Sequence, residues 1–170
     1  MNAIAKRNSI STEHTLRTPD VPVLRRAAMD FLARREHSFY ELQQKLLLKF
    51  PEVPFEHVIE VLNRLHEEKL QSDDRFVESF VRYRKSRGFG YRHIQADLVS
   101  RRVSENLIAK HLHRDDLDWQ TILADLIERR TNHLEYLEFG SKEHRRIVRL
   151  LESRGFELGK VEDALKGRMS

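Results

Sequence analysis

The chain has 170 residues, and its 31 basic residues outnumber its 27 acidic ones, which gives a formal net charge of +4. Hydrophobic residues make up 39% and charged residues 34% of the chain, against roughly 45–50% and 25% in an average globular protein. This composition predicts a large solvated surface and argues against one thick core. The absence of cysteine excludes disulfides, thiolate metal sites and a cysteine nucleophile, and it is compatible with a reducing compartment.

The N-terminal segment and the apolar runs both argue against membrane insertion and export. No apolar run exceeds three residues, so no segment is predicted to span a membrane. The first 22 residues contain Lys6 and Arg7 without an apolar stretch after them, so no secretory signal is expected. Residues 1–21, rich in Ser, Thr and Asn, are predicted to form a flexible N-terminal tail. These features favour a cytoplasmic protein.

After this tail, apolar residues recur at helical spacing, and no stretch alternates cleanly enough to indicate a strand. Ser38 and Glu41 have the S-x-x-E spacing of a helix-start capping box, Pro54 precedes the third helix, and Ser104 is predicted to cap the sixth. The apolar stripes, in chain order, are Leu24–Leu32, Leu42–Leu46, Val58–Leu65, Phe76–Tyr83, Ile94–Leu98, Leu107–Leu112, Ile122–Ile127, Ile147–Leu151 and Val161–Leu165.

These stripes form three groups of three that repeat along the chain. A shift of 52 residues places Leu42 and Leu46 on Ile94 and Leu98. A repeat of about 50 residues is one supersecondary unit that cannot bury its apolar stripe alone, so neighbouring repeats must stack. A shift of 53 residues superposes Ile94 on Ile147, Leu98 on Leu151, Val103 on Phe156, Ile108 on Val161 and Leu112 on Leu165.

The predicted fold class is therefore all-α, an elongated, curved tandem array of three three-helix repeats. The predicted limits are 22–70 for the first repeat, 71–115 for the second and 116–170 for the third. The alternative is a globular bundle of eight or nine helices whose similar stripes are coincidental. An elongated array would present one long face to a partner.

Charge is distributed unevenly along this array. The segment from Glu36 to Glu78 contains ten acidic and five basic residues, whereas Arg82–Arg102 contains seven basic residues and one acid, Asp97. Such a surface is either simply solvated or contacts an anion, which could be a phosphate backbone or an acidic protein groove. The candidate binding residues are Arg82, Arg84, Lys85, Arg87, Arg92, Arg101 and Arg102.

Aromatic residues and glycines adjoin this basic segment. Phe89 and Tyr91 flank Gly90, where they either pack against the start of a helix or stack on a nucleic-acid base. Further along, Gly155 is predicted to end a helix in the left-handed conformation, with Phe156 packing back against that helix. The role of this second pair is therefore interpreted as architectural.

No catalytic motif is present. The sequence lacks H-E-x-x-H, a Walker glycine loop, G-x-S-x-G and G-x-G-x-x-G. His111 and His113 are two residues apart on a predicted helix and therefore point in different directions, unlike a helical metal-binding pair. Asp115, Asp116 and Asp118 lack the glycine and terminal glutamate of a calcium loop and are interpreted as helix caps. We predict no catalytic residue, cofactor or metal, and no enzyme.

Three short motifs carry a family resemblance. They are Leu-Gln-Ser-Asp-Asp-Arg-Phe-Val at 70–77, with Asp73, Asp74 and Phe76; Ser-Arg-Gly-Phe-Gly at 86–90, with Gly88, Phe89 and Gly90; and Arg154-Gly155-Phe156 before the last helix. In this order and spacing, over about residues 22–168, they resemble the RecX family of bacterial RecA regulators. The resemblance implies an array of three-helix repeats that binds in the deep groove of the RecA filament on single-stranded DNA. It also implies modulation, usually inhibition, of the RecA recombinase, ATPase and coprotease activities.

The chain departs from the family pattern where glycines commonly end helices. Phe50-Pro51, Lys69 and Arg101-Arg102 stand at these places, which leaves open how the backbone turns there. Two functional hypotheses follow. The first is a monomeric regulator of the RecA filament that contacts single-stranded DNA through the filament or weakly by itself, and no membrane. The second is a helical protein that binds DNA directly through its basic middle repeat, without RecA; its binding would weaken steeply with salt.

Overall fold

The computed structural model describes residues 21–168, and within them it contains nine α-helices. The predicted tail lies outside the described residues except for Val21, which begins the first helix; Pro22 fits there because the first turn needs no N–H donor. The helices are α1 (Val21–Leu32), α2 (Phe39–Lys49), α3 (Phe55–Glu67), α4 (Asp73–Ser86), α5 (Tyr91–Ser100), α6 (Glu105–His111), α7 (Asp118–Thr131), α8 (Lys142–Ser153) and α9 (Leu158–Leu165), followed by a 3₁₀ turn at Lys166–Arg168.

The helices form three units with separate cores. Unit 1 is α1–α3, unit 2 is α4–α6 and unit 3 is α7–α9, and within each unit all three helices contact one another. Each unit encloses its own cluster of buried apolar side chains. Leu98 and Leu151, which the 53-residue shift superposes, are both fully buried in their clusters. The all-α fold class with stacked three-helix repeats is confirmed, whereas the residue limits of the repeats stay a prediction.

Serine hydroxyls cap four of the helices. In each case the hydroxyl accepts a hydrogen bond from the backbone N–H three residues later, which satisfies a donor that the helix itself leaves free. At α2, however, the Glu41 carboxylate of the predicted capping box is bonded to Arg35 and Arg101. The capping serines are Ser38, Ser72, Ser104 and Ser141.

Left-handed residues follow four helices and turn the chain sharply. Gly88 and Gly155 have φ angles of 75° and 92°, and the non-glycine residues Lys69 and Arg102 have φ angles of 59° and 55°. At each end a backbone N–H bonds the carbonyl five residues earlier, as in the Schellman motif. The chain therefore keeps this turn without glycine at two of the family's glycine positions. The bonds join Leu70 to Leu65, Phe89 to Arg84, Val103 to Leu98 and Phe156 to Leu151.

Candidate functional site

The second interface, between units 2 and 3, brings two of the sequence motifs together. The backbone N–H of Gly90 donates to the Arg154 carbonyl at 2.7 Å, and that of Arg92 donates to the Gly155 carbonyl at 3.3 Å. A Cβ atom on Gly155 would lie 2.4 Å from the backbone nitrogen of His93, and one on Gly90 would lie 2.8 Å from the Gly155 carbonyl oxygen. The two glycines therefore allow a backbone approach that no other residue permits.

Phe89 is enclosed at this interface by side chains of the chain itself. The guanidinium carbons of Arg84 and Arg154 lie 4.6 and 4.7 Å from its ring centroid, and the His93 ring stacks on it at 4.3 Å. Arg154 also donates to the Arg87 carbonyl at 2.7 Å. Of the two interpretations of Phe89, these contacts favour packing over base stacking.

The first interface, between units 1 and 2, is built around Asp73. Its carboxylate accepts from the Phe39 backbone N–H and from the Gln71 side-chain amide, both at 2.8 Å. The same amide donates to the His37 carbonyl at 3.2 Å, and Arg75 donates to Glu36 at 2.7 Å. The motif at 70–77 therefore joins two units.

The two other residues singled out in that motif act within unit 2. Asp74 is bonded to Lys110 at 2.7 Å and to His111 at 2.8 Å, and these bonds hold the pKa of Asp74 below its ordinary value. Phe76 is 1% exposed and lies in the core of unit 2. Both residues therefore stabilise the unit on which the two interfaces depend.

Four of the seven predicted binding residues are paired with carboxylates of the chain itself: Arg84, Lys85, Arg92 and Arg101. Arg84 bonds Asp97 within unit 2, and Lys85 bonds Asp116 and Asp118 near the start of α7. Arg101 bonds Glu41 across the first interface at 2.9 Å. Arg92 bonds Glu157 across the second at 3.3 Å.

The Lys85 ion pair changes the titration of both partners. The hydrogen bond from Lys85, followed by that from the Asp118 N–H, holds the pKa of Asp116 below its ordinary value. Burial opposes the charging of Lys85, but its bonds to the two carboxylates outweigh that effect and raise the pKa of Lys85. The pair is therefore charged throughout the neutral range.

The other three residues form what we call the exposed set: Arg82, Arg87 and Arg102. None of them forms an ion pair with another residue in the range 21–168; the Arg102 guanidinium lies 4.6 Å from the Tyr40 ring centroid. Binding by the seven residues stays a prediction, but among the seven only the arginines of the exposed set are not engaged by carboxylates of the described chain.

Sequence reasoning missed a further basic group in unit 3, which we call the α7–α8 surface. It consists of basic side chains at and just after the end of α7 and along α8. Two features of the sequence indicated this group: the Arg-Arg pair in α7 and the run of basic residues in α8. Glutamates at 128, 135, 138 and 143 lower the net charge of the same segment, so a simple charge count does not single it out. Its residues are Arg129, Arg130, His133, Lys142, Arg145, Arg146 and Arg149.

The described residues show neither a metal cluster nor a membrane helix. Across positions 21–168, no three His, Cys, Asp or Glu side chains are grouped so that they could hold a metal ion. The helices of this range are too short or too polar to cross a membrane. His111 ends α6 and bonds Asp74, whereas His113 lies beyond that helix. The residue at the N-cap of α7 is Leu117, without a side-chain capping bond, so the interpretation of Asp115, Asp116 and Asp118 as caps is wrong there. Asp116 instead accepts from the Asp118 N–H at 3.0 Å in a local turn, and both carboxylates bond Lys85.

The fold and these interfaces define a helical-repeat protein whose motif residues mainly join or stabilise its units. A family model described as RecX, second three-helix domain, matches residues 72–112, which correspond to unit 2. The chain belongs to the RecX family of regulatory proteins, as the motifs of its sequence indicated.

Relatives and solved structures agree with this assignment. Regulatory protein RecX of Pseudomonas savastanoi pv. phaseolicola is 39% identical over 150 residues, which cover 88% of this chain and 94% of that protein. The protein of the same name from Pseudomonas entomophila is 36% identical over the same shares. The crystal structure of RecX from Lactobacillus salivarius has a TM-score of 0.69 at 19% identity, covers 87% of this chain and 96% of that one, and so supports the fold.

Proposed function

We propose that this chain binds the RecA filament on single-stranded DNA and inhibits the RecA recombinase, ATPase and coprotease activities in the bacterial cytoplasm. The observation that carries the proposal is its nearly full-length similarity to proteins named regulatory protein RecX. Those relatives are named as regulators, so we propose that the chain acts by binding, as a monomer without a cofactor.

The repeated architecture gives this proposal a physical basis. A filament presents the same protomer surface at regular intervals, and the chain presents three three-helix units of similar build in succession. Contacts with more than one protomer would raise the affinity through effective concentration. Such binding can restrain the conformational change that ATP hydrolysis needs, block the groove to duplex DNA, or favour loss of protomers at filament ends.

A titration into RecA assembled on single-stranded DNA tests the proposal. The ATPase rate and the filament length are followed together as the protein is added. A lower rate at constant length indicates a blocked or restrained filament, and a lower rate with shortening indicates disassembly. A rate that stays constant at saturating protein contradicts inhibition.

Substitution of residues in the exposed set tests most directly whether unit 2 contacts the filament. Arg82→Ala/Arg87→Ala removes two side chains without an ion-pair partner in the described chain, so we expect an unchanged circular dichroism spectrum and several-fold weaker ATPase suppression. Arg26→Ala/Arg34→Ala removes the same charge from exposed positions of unit 1 and should suppress as the parent does. Equal suppression by both variants and the parent contradicts the assignment to unit 2. Arg84 and Lys85 are unsuitable targets because they hold ion pairs.

The alternative function is direct DNA binding through the basic middle repeat, without RecA. The exposed set favours it, because guanidinium groups without a carboxylate partner suit phosphates. Under this alternative the protein saturates single-stranded DNA while the RecA ATPase stays unaffected, and its affinity falls steeply with salt.

A further inference from the structure

Both interfaces between units join the start of one middle helix to the end of the next middle helix. At the first, the Ser38 hydroxyl before α2 donates to the carbonyl of Arg101, which follows α5, at 3.4 Å. At the second, the N–H of Gly90 before α5 donates to the carbonyl of Arg154, which follows α8, at 2.7 Å. The free N–H groups of a helix start suit the free carbonyls of a helix end. Two ends of this series have no neighbouring unit in the described chain: the start of α8 and the end of α2.

The third residue after the helix cap contacts the next unit at both interfaces. In unit 1, Glu41 accepts from Arg101 at 2.9 Å, and in unit 2, a ring nitrogen of His93 lies 3.3 Å from the Ser153 carbonyl. The corresponding residue of unit 3, His144, is only 6% exposed, and neither of its ring nitrogens has a hydrogen-bond partner among the described residues. Because a buried polar group without a partner is costly, this position favours docking of a further helix end.

Large apolar side chains are exposed at both of these ends. Phe139, in the loop before α8, is 66% exposed, and its ring centroid lies 5.0 Å from that of His144. At the other end, Leu48 in the last turn of α2 is 86% exposed, and Phe55 at the start of α3 is 48% exposed. The 52-residue shift places Leu48 on a serine of unit 2, so the exposed leucine is particular to the free end. Contact between the two ends would remove this apolar surface from water.

The charges at the two ends are opposite. Over residues 21–168, Lys142 and Arg145 at the start of α8 form no salt bridge, and Arg145 donates instead to the Gly140 carbonyl at 2.5 Å. Cations at a helix start oppose the helix dipole, so a negative partner is favourable there. Glu52 and Glu56, after the end of α2, are exposed and have no salt-bridge partner in the same range. The lysine that ends α2 packs over phenylalanine rings of its own unit. An acidic end therefore matches a basic one.

We propose that copies of this chain associate head to tail, with the end of α2 of one copy docked on the start of α8 of another. Leu48 then packs against Phe139, and a carbonyl of the last turn of α2 accepts from His144. The second copy thereby continues the series of units that the chain itself contains. Since the two contacting surfaces differ, the contact leaves a free end on each side and can repeat.

The contact is weaker than the interface between units 2 and 3. The chain after α2 continues through Phe50 and Pro51 without a left-handed residue, so the interlocked glycines of that interface have no counterpart. Dilute chains therefore remain monomeric. A filament that aligns several copies raises their effective concentration and makes their binding cooperative. The inference goes beyond the proposed function because the association itself requires no RecA.

Cross-linking between introduced cysteines tests the contact, because the chain has no cysteine of its own. Gln44→Cys, one turn before Leu48, and Glu138→Cys, beside Phe139, are both exposed and leave the apolar side chains in place. The two variants are mixed at high concentration without RecA and treated with a short bismaleimide. The mixture should give about fivefold more dimer than either variant alone, or than Gln44→Cys mixed with the exposed control Gln120→Cys. Equal yields in all mixtures, or a larger yield in one variant alone, overturn the head-to-tail contact.

A charge exchange tests the orientation of the two ends. Lys142→Glu in the Glu138→Cys copy should lower the yield severalfold, and Glu52→Lys in the Gln44→Cys copy should restore it. Lys142→Glu puts a carboxylate at a helix start, which is favourable, and circular dichroism checks that each variant is folded. Glu105→Lys, an exposed charge change in unit 2, should not restore the yield. Loss without restoration by Glu52→Lys, or no loss at all, overturns the placement.

The apolar part of the contact is tested separately. Leu48→Ser introduces the residue that unit 2 has at the corresponding position, so it should keep the fold and lower the cross-linking yield severalfold. On RecA filaments, the same variant should suppress the ATPase with a less steep dependence on concentration than the parent. An unchanged cross-linking yield in Leu48→Ser overturns the inference. Because the cross-linking mixtures contain no RecA, this result and the RecA ATPase titration can fail independently.

Discussion

Gly155 is the residue at which the packing of units 2 and 3 can be tested most directly. Replacement by alanine adds a Cβ atom 2.4 Å from the His93 backbone nitrogen, and the φ of 92° is one that alanine rarely adopts. A change of side-chain rotamer cannot relieve this clash, because the nearest atom to the new Cβ belongs to the backbone of His93. Gly155→Ala must therefore force the two backbones apart.

The magnitude follows from two effects. A left-handed conformation costs a non-glycine residue roughly 1–2 kcal/mol. Separation also breaks the two interface bonds, from Gly90 to Arg154 and from Arg92 to Gly155, each worth about 0.5–1.5 kcal/mol. We therefore expect Gly155→Ala to lower the free energy of unfolding by about 2–5 kcal/mol.

Three other glycines separate the cost of the left-handed conformation from the cost of the backbone clash. Gly140 has a φ of 69° but no atom within 4 Å of its Cβ position, so Gly140→Ala should cost only the conformational strain. Gly90 lacks a positive φ but faces the Gly155 carbonyl, so Gly90→Ala should cost only the clash. Gly159 in α9 has neither restriction, and Gly159→Ala should stabilise the helix by about 0.5–1 kcal/mol.

Urea unfolding measures all four variants. Far-ultraviolet circular dichroism reports the helices, and fluorescence of Trp119, the single tryptophan, reports the region between units 2 and 3. Its ring packs on the core of unit 2, and its indole N–H donates to the His113 carbonyl at 2.8 Å. If Gly155→Ala proves no more costly than Gly140→Ala, the close backbone approach is refuted.

Two further predictions concern the helix ends and the ion pairs. Lys69→Gly should raise the free energy of unfolding by about 1 kcal/mol because it relieves the left-handed strain, whereas Lys69→Ala should not; equal urea midpoints for the two variants contradict this. Because the pKa of Asp116 is lowered in the folded state, its pairing with Lys85 stabilises the protein above the ordinary aspartate pKa of 3.8, and this contribution is lost as the pH falls through the folded value. Urea midpoints measured from neutral pH into this acid range should therefore fall less steeply for Asp116→Asn than for the parent, and parallel curves would show that the pair contributes nothing.

Local patterns in the sequence predicted the helices and the repeat because both depend on neighbours in the chain. The stripe containing Leu98 and the capping role of Ser38 follow from spacing alone. The pairing of each charged residue does not follow from spacing. Arg101 meets Glu41, which lies 60 residues earlier, so a linear count treated as free a cation that the fold neutralises.

The turns at Lys69 and Arg102 show a second limit of sequence reasoning. The left-handed conformation costs a non-glycine residue roughly 1–2 kcal/mol, an amount that the closing hydrogen bonds of the turn can offset. Both residues therefore adopt it, with φ angles of 59° and 55°. The α7–α8 surface was missed because the glutamates at 128, 135, 138 and 143 offset its basic residues in a linear charge count.

The two interfaces differ in kind, and this gives the array an uneven stiffness. Side chains hold the first interface: Asp73 and Gln71 bond main-chain groups of unit 1, and the Arg101–Glu41 and Arg75–Glu36 ion pairs join the two units. Within the described residues, no hydrogen bond between two main-chain groups crosses this interface. The second adds direct main-chain bonds at interlocked glycines. Units 2 and 3 should therefore move together as one rigid body, whereas unit 1 should change its orientation relative to them more readily. Added salt should increase the mobility of unit 1 first, because it screens the ion pairs of the first interface.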